Sequence, residues 1–121
     1  MSKETQQDLR VRTKAFALRV IRLYCSLPKT TEAQVMGKQV LRSGTAVGAH
    51  YREAWRAKSN ADFINKIEGA LQELDETVYW LELLIESGIV PEKQLKPLRD
   101  EAEELIAIFV AIVKKAKART K

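Results

Sequence analysis

Apolar residues recur at helical spacing in four blocks along the chain, divided by short links of proline, glycine or small polar residues. The first block places Leu9, Phe16, Val20, Leu23 and Leu27 on one stripe. It predicts a helix from about Asp8, a candidate N-cap, to Leu27, where Pro28 stops it. Thr31-Glu32-Ala33-Gln34 matches a capping box and opens a second helix running to about Ala57. Ser59-Asn60-Ala61-Asp62 reads as the next N-cap, so a third helix is expected from about Asn60 to Ser87, with Gly88 as its stop. Its core stripe is Phe63, Ile67, Ala70, Leu71, Leu74, Val78, Leu81 and Ile85. Towards its end Tyr79, Trp80, Leu83 and Leu84 make the helix apolar almost all round, the pattern of a segment buried on every side. Pro91 and Pro97 bracket the fourth start, which predicts a short turn over 92–96 and a helix from Pro97 to Lys117. Its stripe is Leu98, Ala102, Leu105, Phe109, Ile112, Val113 and Ala116.

Four amphipathic helices with short links pack most simply as an all-α, up-down-up-down four-helix bundle. The blocks are not repeats of one another, and 121 residues make one domain, with residues 1–7 and 118–121 expected to be flexible. A second apolar line on the first helix, Val11, Leu18 and Cys25, runs opposite the core stripe. Together with Trp80, Leu83 and Leu84 it is a candidate contact between copies of the chain. Scattered surface apolar groups are the alternative, since such groups are ordinary on soluble proteins.

Composition agrees with helices and narrows the setting. Ala, Leu, Glu, Lys and Arg dominate, and three prolines and five glycines are few for a strand-and-turn protein. The single cysteine, Cys25, cannot form an internal disulfide and fits a reducing cytoplasm. The N-terminus, MSKETQQDLR, has no apolar core of a signal peptide, and no membrane span is expected. Charge is uneven around a net +5. Residues 1–29 carry seven basic and two acidic groups, and residues 59–91 carry one basic and seven acidic. Such asymmetry suits an anionic partner, or helices that attract one another within or between subunits.

The second helix has two distinct sides. Ala33, Gly37, Val40, Gly44, Val47, Gly48, Tyr51 and Trp55 share one, with Gly44-x-x-x-Gly48 allowing close approach of another helix. The other side carries Lys38, Arg42, Arg52 and Arg56, continued by Lys58. This stripe is a candidate for sequence-independent phosphate contacts, and Lys114, Lys115 and Lys117 near the end of the fourth helix are a second. The competing reading is a solvated face paired with the acidic third helix. Exposed aromatic platforms for stacking bases are not evident, because Tyr51 and Trp55 fall on the apolar side.

No catalytic or metal site stands out. His50 is the only histidine, and His50-x-x-Glu53 lacks the paired Glu-x-x-His motifs and further glutamates of a di-iron bundle. A histidine hydrogen-bonded locally is expected. Cys25 and the serines have no base matched to them, so no enzyme and no cofactor is expected.

The pattern RSG-x-x-V-GA-x-YREA-x-RAKS-x-ADFI from Arg42 to Ile64, supported by ELDET-x-YWLELL from Glu73 to Leu84, resembles the bacterial four-helix-bundle proteins related to those encoded in intervening sequences of 23S ribosomal RNA genes. It is also similar to the accessory proteins of diversity-generating retroelements. The resemblance implies a homo-oligomer, a pentameric ring, with no enzymatic activity. It implies RNA or DNA and a reverse transcriptase as partners. His50 stands where the pattern has asparagine, and Gly48 where many relatives have proline. The expectation is therefore a non-enzymatic, oligomeric protein associated with nucleic acid, or an oligomeric scaffold that binds only protein.

Overall fold

The computed structural model describes residues 2–119, which form four helices: α1 (Lys3–Ser26), α2 (Thr31–Ala54), α3 (Asn60–Glu86) and α4 (Glu92–Ala118). Each packs antiparallel against the next, and α1 meets α4 along a much thinner seam. The all-α bundle expected from periodicity is therefore present. The expected flexibility at Met1 and at 120–121 lies outside the described residues.

The predicted stripes converge on one core. Leu9, Phe16, Val20, Leu23 and Leu27 of the first stripe are all buried, as are Ile67, Leu74, Leu81, Leu105 and Phe109. Tyr51 is fully buried and stacks on Phe109, with ring centroids 5.6 Å apart and planes 6° from parallel. Burial pushes the Tyr51 phenol above its ordinary pKa. Three hydroxyls also lie inside, and each is satisfied. Thr13 Oγ1 donates to the Leu9 carbonyl at 2.8 Å, Thr77 Oγ1 reaches the Glu73 carbonyl at 2.8 Å, and Ser43 Oγ sits 2.8 Å from Thr77 Oγ1.

Helix ends depart from the sequence reading in four places. α1 begins at Lys3, not Asp8, because the Ser2 hydroxyl accepts from the Thr5 N–H at 3.1 Å. Tyr51 Oη then donates to the Gln6 carbonyl at 3.0 Å and fixes that first turn to α2. The cap of α2 is Thr30, one residue before the expected capping box. That shift frees Gln34 for other work: its Nε2 donates to the Pro28 carbonyl at 2.8 Å, and its Oε1 accepts from Tyr24 at 3.1 Å. α2 ends at Ala54 rather than Ala57. α4 starts at Glu92 and runs through Pro97 without a break. Pro97 sits in the second turn, so the Lys93 carbonyl that loses its partner lies at the solvated start of the helix. The turn is held by burial of Leu95 and Leu98 and by the Arg99–Glu92 ion pair at 3.1 Å.

The α3 stop is as expected. Gly88 has φ +78°, its N–H bonds the Ile85 carbonyl, and the Ile89 N–H bonds the Leu84 carbonyl. This is a Schellman closure, and it needs the left-handed backbone that glycine adopts freely.

Candidate nucleic-acid interface

Two cross-links define one end of the bundle. Tyr51 ties the end of α2 to the start of α1, and Asn60 Nδ2 donates to the Ala116 carbonyl at 2.8 Å, tying the start of α3 to the end of α4. Arg52, Arg56 and Lys58 therefore share an end with Lys114, Lys115 and Lys117. The two candidate patches, far apart in sequence, are brought together there. Residues 3–10, 50–58, 60–68 and 111–119 hold ten basic and five acidic side chains, leaving eleven of each sign in the rest of the chain. The whole formal excess of +5 thus belongs to this end. Helix dipoles contribute little to it, since two N-termini and two C-termini meet there.

The expected contact residues divide into free and paired cations. Arg52, Arg56, Lys58, Lys114 and Lys115 are exposed and have no carboxylate within ion-pair distance among the described residues. Lys117 is engaged, with Nζ 3.2 Å from Glu68. Lys38 is exposed on α2, about 21 Å along the helix from Arg52. Arg42 pairs with α3 of its own chain, bonding Glu76 and reaching Glu73 at 3.2 Å. Its bond to Glu76 raises the guanidinium pKa, and the same bond, with the Trp80 indole N–H as a second donor, lowers the Glu76 carboxyl. Part of the basic stripe is thus satisfied inside one chain.

His50 borders that network. Its Nε2 is 3.8 Å from Glu73 and its Nδ1 3.9 Å from Glu53, while Nδ1 is buried with no hydrogen-bond partner. The local hydrogen bond expected of it is not made. Its ring instead packs over Gly69, where an added Cβ would stand 3.1 Å from the ring. Among the described residues no group of three or more His, Cys, Asp or Glu is placed to hold a metal ion.

The candidate faces for a second copy also divide. Val11, Leu18 and Cys25 are exposed, at 57% and 45% for the first two. Trp80 and Leu83 are half-buried. Leu84 is fully buried, so it belongs to the core of a single chain and not to an outer face. Nor is the end of α3 buried all round within one chain, because Tyr79 remains 53% exposed.

Sequence reasoning missed a cleft at the basic end. It has a volume of about 540 Å³ and lies between the starts of α1 and α3 and the last turns of α4. Trp55 and Phe63, both half-buried, stand in edge-to-face contact at 5.2 Å on one side of it. The sequence carried no clear signal for it, since Trp55 and Phe63 both fall on apolar stripes.

The family model described as 23S rRNA-intervening sequence protein matches residues 6–111. The chain belongs to that family. The intervening-sequence fold is also seen in a crystal structure of a protein of unknown function from the S23 ribosomal protein family of Bacteroides thetaiotaomicron. That protein is 40% identical, with a TM-score of 0.85 over 90% of this chain and 97% of the other. No curated protein matches. Among the described residues no helix is long and apolar enough to cross a membrane.

Proposed function

We propose that this protein is a non-enzymatic, homo-oligomeric nucleic-acid-associated protein that binds RNA, or a complex containing RNA, with the basic end of its bundle. The carrying observation is the concentration of the entire net charge at one end, with five exposed cations that have no carboxylate partner among the described residues. The family description names intervening sequences of 23S rRNA, which makes RNA the first polyanion to test. Arg52, Arg56, Lys58, Lys114 and Lys115 are the contact residues of this reading. Lys38 and Arg42 lie outside it, by distance and by pairing.

Assembly is part of the proposal. The exposed line of Val11, Leu18 and Cys25 on the basic α1 suits the acidic outer side of α3, beside Tyr79, Trp80 and Leu83, in the next copy of a pentameric ring. A ring would multiply the basic end and raise avidity. A reverse transcriptase is the protein partner, and the cytoplasm the compartment, that accord with the resemblance. A second reading, a scaffold that binds only protein, is favoured by the Arg42 pairs to Glu73 and Glu76, which show basic residues serving internal pairing.

The readings separate in a salt titration with mixed-sequence RNA. Five phosphate contacts per protomer give a log–log slope of roughly −4. Reversing Arg52 and Arg56 to glutamate is expected to abolish binding at moderate salt. Wild-type protein that binds no RNA at low salt would end the nucleic-acid reading in favour of the scaffold. Sedimentation that finds a monomer at micromolar concentration would remove the oligomer.

A further inference from the structure

The cleft at the basic end is amphipathic in a particular way. Trp55 and Phe63 line it together with Ile108 and Ile112 of α4, and no carboxylate among the described residues lines it. Lys115 and Arg119 stand among its lining residues, both exposed and both without an ion pair among the described residues. Asn60 also lines it. Its Nδ2 is committed to the Ala116 carbonyl, and its Oδ1 makes no hydrogen bond among the described residues. The volume, about 540 Å³, falls within the usual range for a small-ligand pocket.

A ligand matching this site needs a flat apolar body, a polar edge and a neighbouring negative charge. A purely apolar chain would leave the Asn60 carbonyl and both cations unused. A simple anion would leave the aromatic wall unused. A nucleobase with its phosphate uses all three, since every base has a face to stack and donors on its edge.

We propose that this cleft receives an unstacked nucleobase of single-stranded RNA, with the adjoining phosphate held by Lys115 and Arg119. This rests on the RNA reading above and sharpens it. Duplex RNA keeps its bases stacked and would meet only the cations of the basic end. Single-stranded RNA would gain the cleft in addition. The protein would then prefer single-stranded or bulged segments without reading a particular sequence.

The test uses the full chain, a mixed-sequence single-stranded RNA octamer and a blunt RNA duplex of the same length. Ala111 is exposed on the cleft lining, so Ala111→Trp fills the cleft and leaves every cation in place. Thr5→Trp fills it from α1. Each plug is expected to weaken octamer binding roughly tenfold, the scale of one lost base stack, and to leave duplex binding and its salt slope unchanged. In a Trp80→Phe background Trp55 is the sole tryptophan. Octamer, and not duplex, should then quench its fluorescence, a readout that needs no change to the cleft. Plugs that leave octamer affinity within twofold, plugs that lower octamer and duplex equally, or absence of quenching would overturn the cleft proposal while the RNA reading stands. Wild-type protein that binds neither RNA would overturn both.

Discussion

Replacing Gly44 with alanine sets two effects of similar size against each other. Alanine in place of glycine inside a helix is worth about 1 kcal/mol in propensity. At Gly44, however, an added Cβ would lie 2.7 and 2.9 Å from the two γ carbons of Val20, where carbon atoms normally rest about 3.5–4.0 Å apart. Val20 is fully buried on α1 and, being β-branched, has essentially one rotamer in a helix. It cannot swing aside, so α1 and α2 must separate or strain. Overpacking of this kind costs about 1–3 kcal/mol. The expected net effect of Gly44→Ala is a loss of about 1 kcal/mol. The same substitution in a Val20→Ala background meets only the Val20 Cβ position, at 3.2 Å, and a small shift relieves it. There the propensity gain should prevail. Val20→Ala alone costs about 2 kcal/mol from its lost methyls and the cavity. Adding Gly44→Ala should return up to about 1 kcal/mol of that. Urea unfolding at fixed protomer concentration reads the cycle, with a change of 1 kcal/mol moving the midpoint by roughly 0.3–1 M. The signature is a change of sign between backgrounds. If Gly44→Ala raises the midpoint equally in both, the close approach of α1 and α2 is not what glycine serves here.

Two further outcomes follow from polar groups. Thr77→Val removes a partner from the buried Ser43 hydroxyl and should cost about 1 kcal/mol, whereas Thr77→Val with Ser43→Ala should be close to neutral, measured by thermal or urea unfolding; additive losses would contradict the pairing. The Glu76 carboxyl, lowered chiefly by its bond to Arg42, contributes stability that is present above its unfolded pKa and lost as pH falls through the lower folded value. Both partners are substantially exposed, so the contribution is below about 1 kcal/mol and shrinks with salt. Glu76→Gln should therefore narrow the difference in stability between neutral and acidic pH, and an unchanged pH profile at low salt would refute the pairing.

The stripes were legible because each helix buries one face against neighbours, and period alone finds that face. Leu9 to Leu27 on α1 and Leu98 to Ala116 on α4 needed no partner information. Ends were less legible, since they depend on single hydrogen bonds. Thr30 and Thr31 are equally good caps in sequence, and Ser2 prevails over Asp8 because its hydroxyl caps the Thr5 N–H while Tyr51 ties that first turn to α2. Pro97 misled for the opposite reason: burial of Leu95 and Leu98 outweighs the bond it removes. The candidate site was half legible. Each basic cluster could be seen, and the expected up-down-up-down order already puts the ends of α2 and α4 at one pole, but which of the cations are paired depends on side-chain contacts that periodicity does not encode. Arg42 looked like its neighbours on the stripe until α3 supplied Glu73 and Glu76. Trp55 and Phe63 looked like interior residues, and an end-on cleft that leaves them half open has no one-dimensional signature.

Ser2 and Arg119 both line the cleft. That has a practical corollary for anyone handling the protein. An acidic tag or fusion joined next to Ser2 or Arg119 would stand beside the cleft and compete with RNA for the same cations. Binding measured on such material would understate the untagged molecule whichever terminus carried the tag. The exposed turn at Gly88, at the opposite pole, offers the attachment point that leaves the mouth clear.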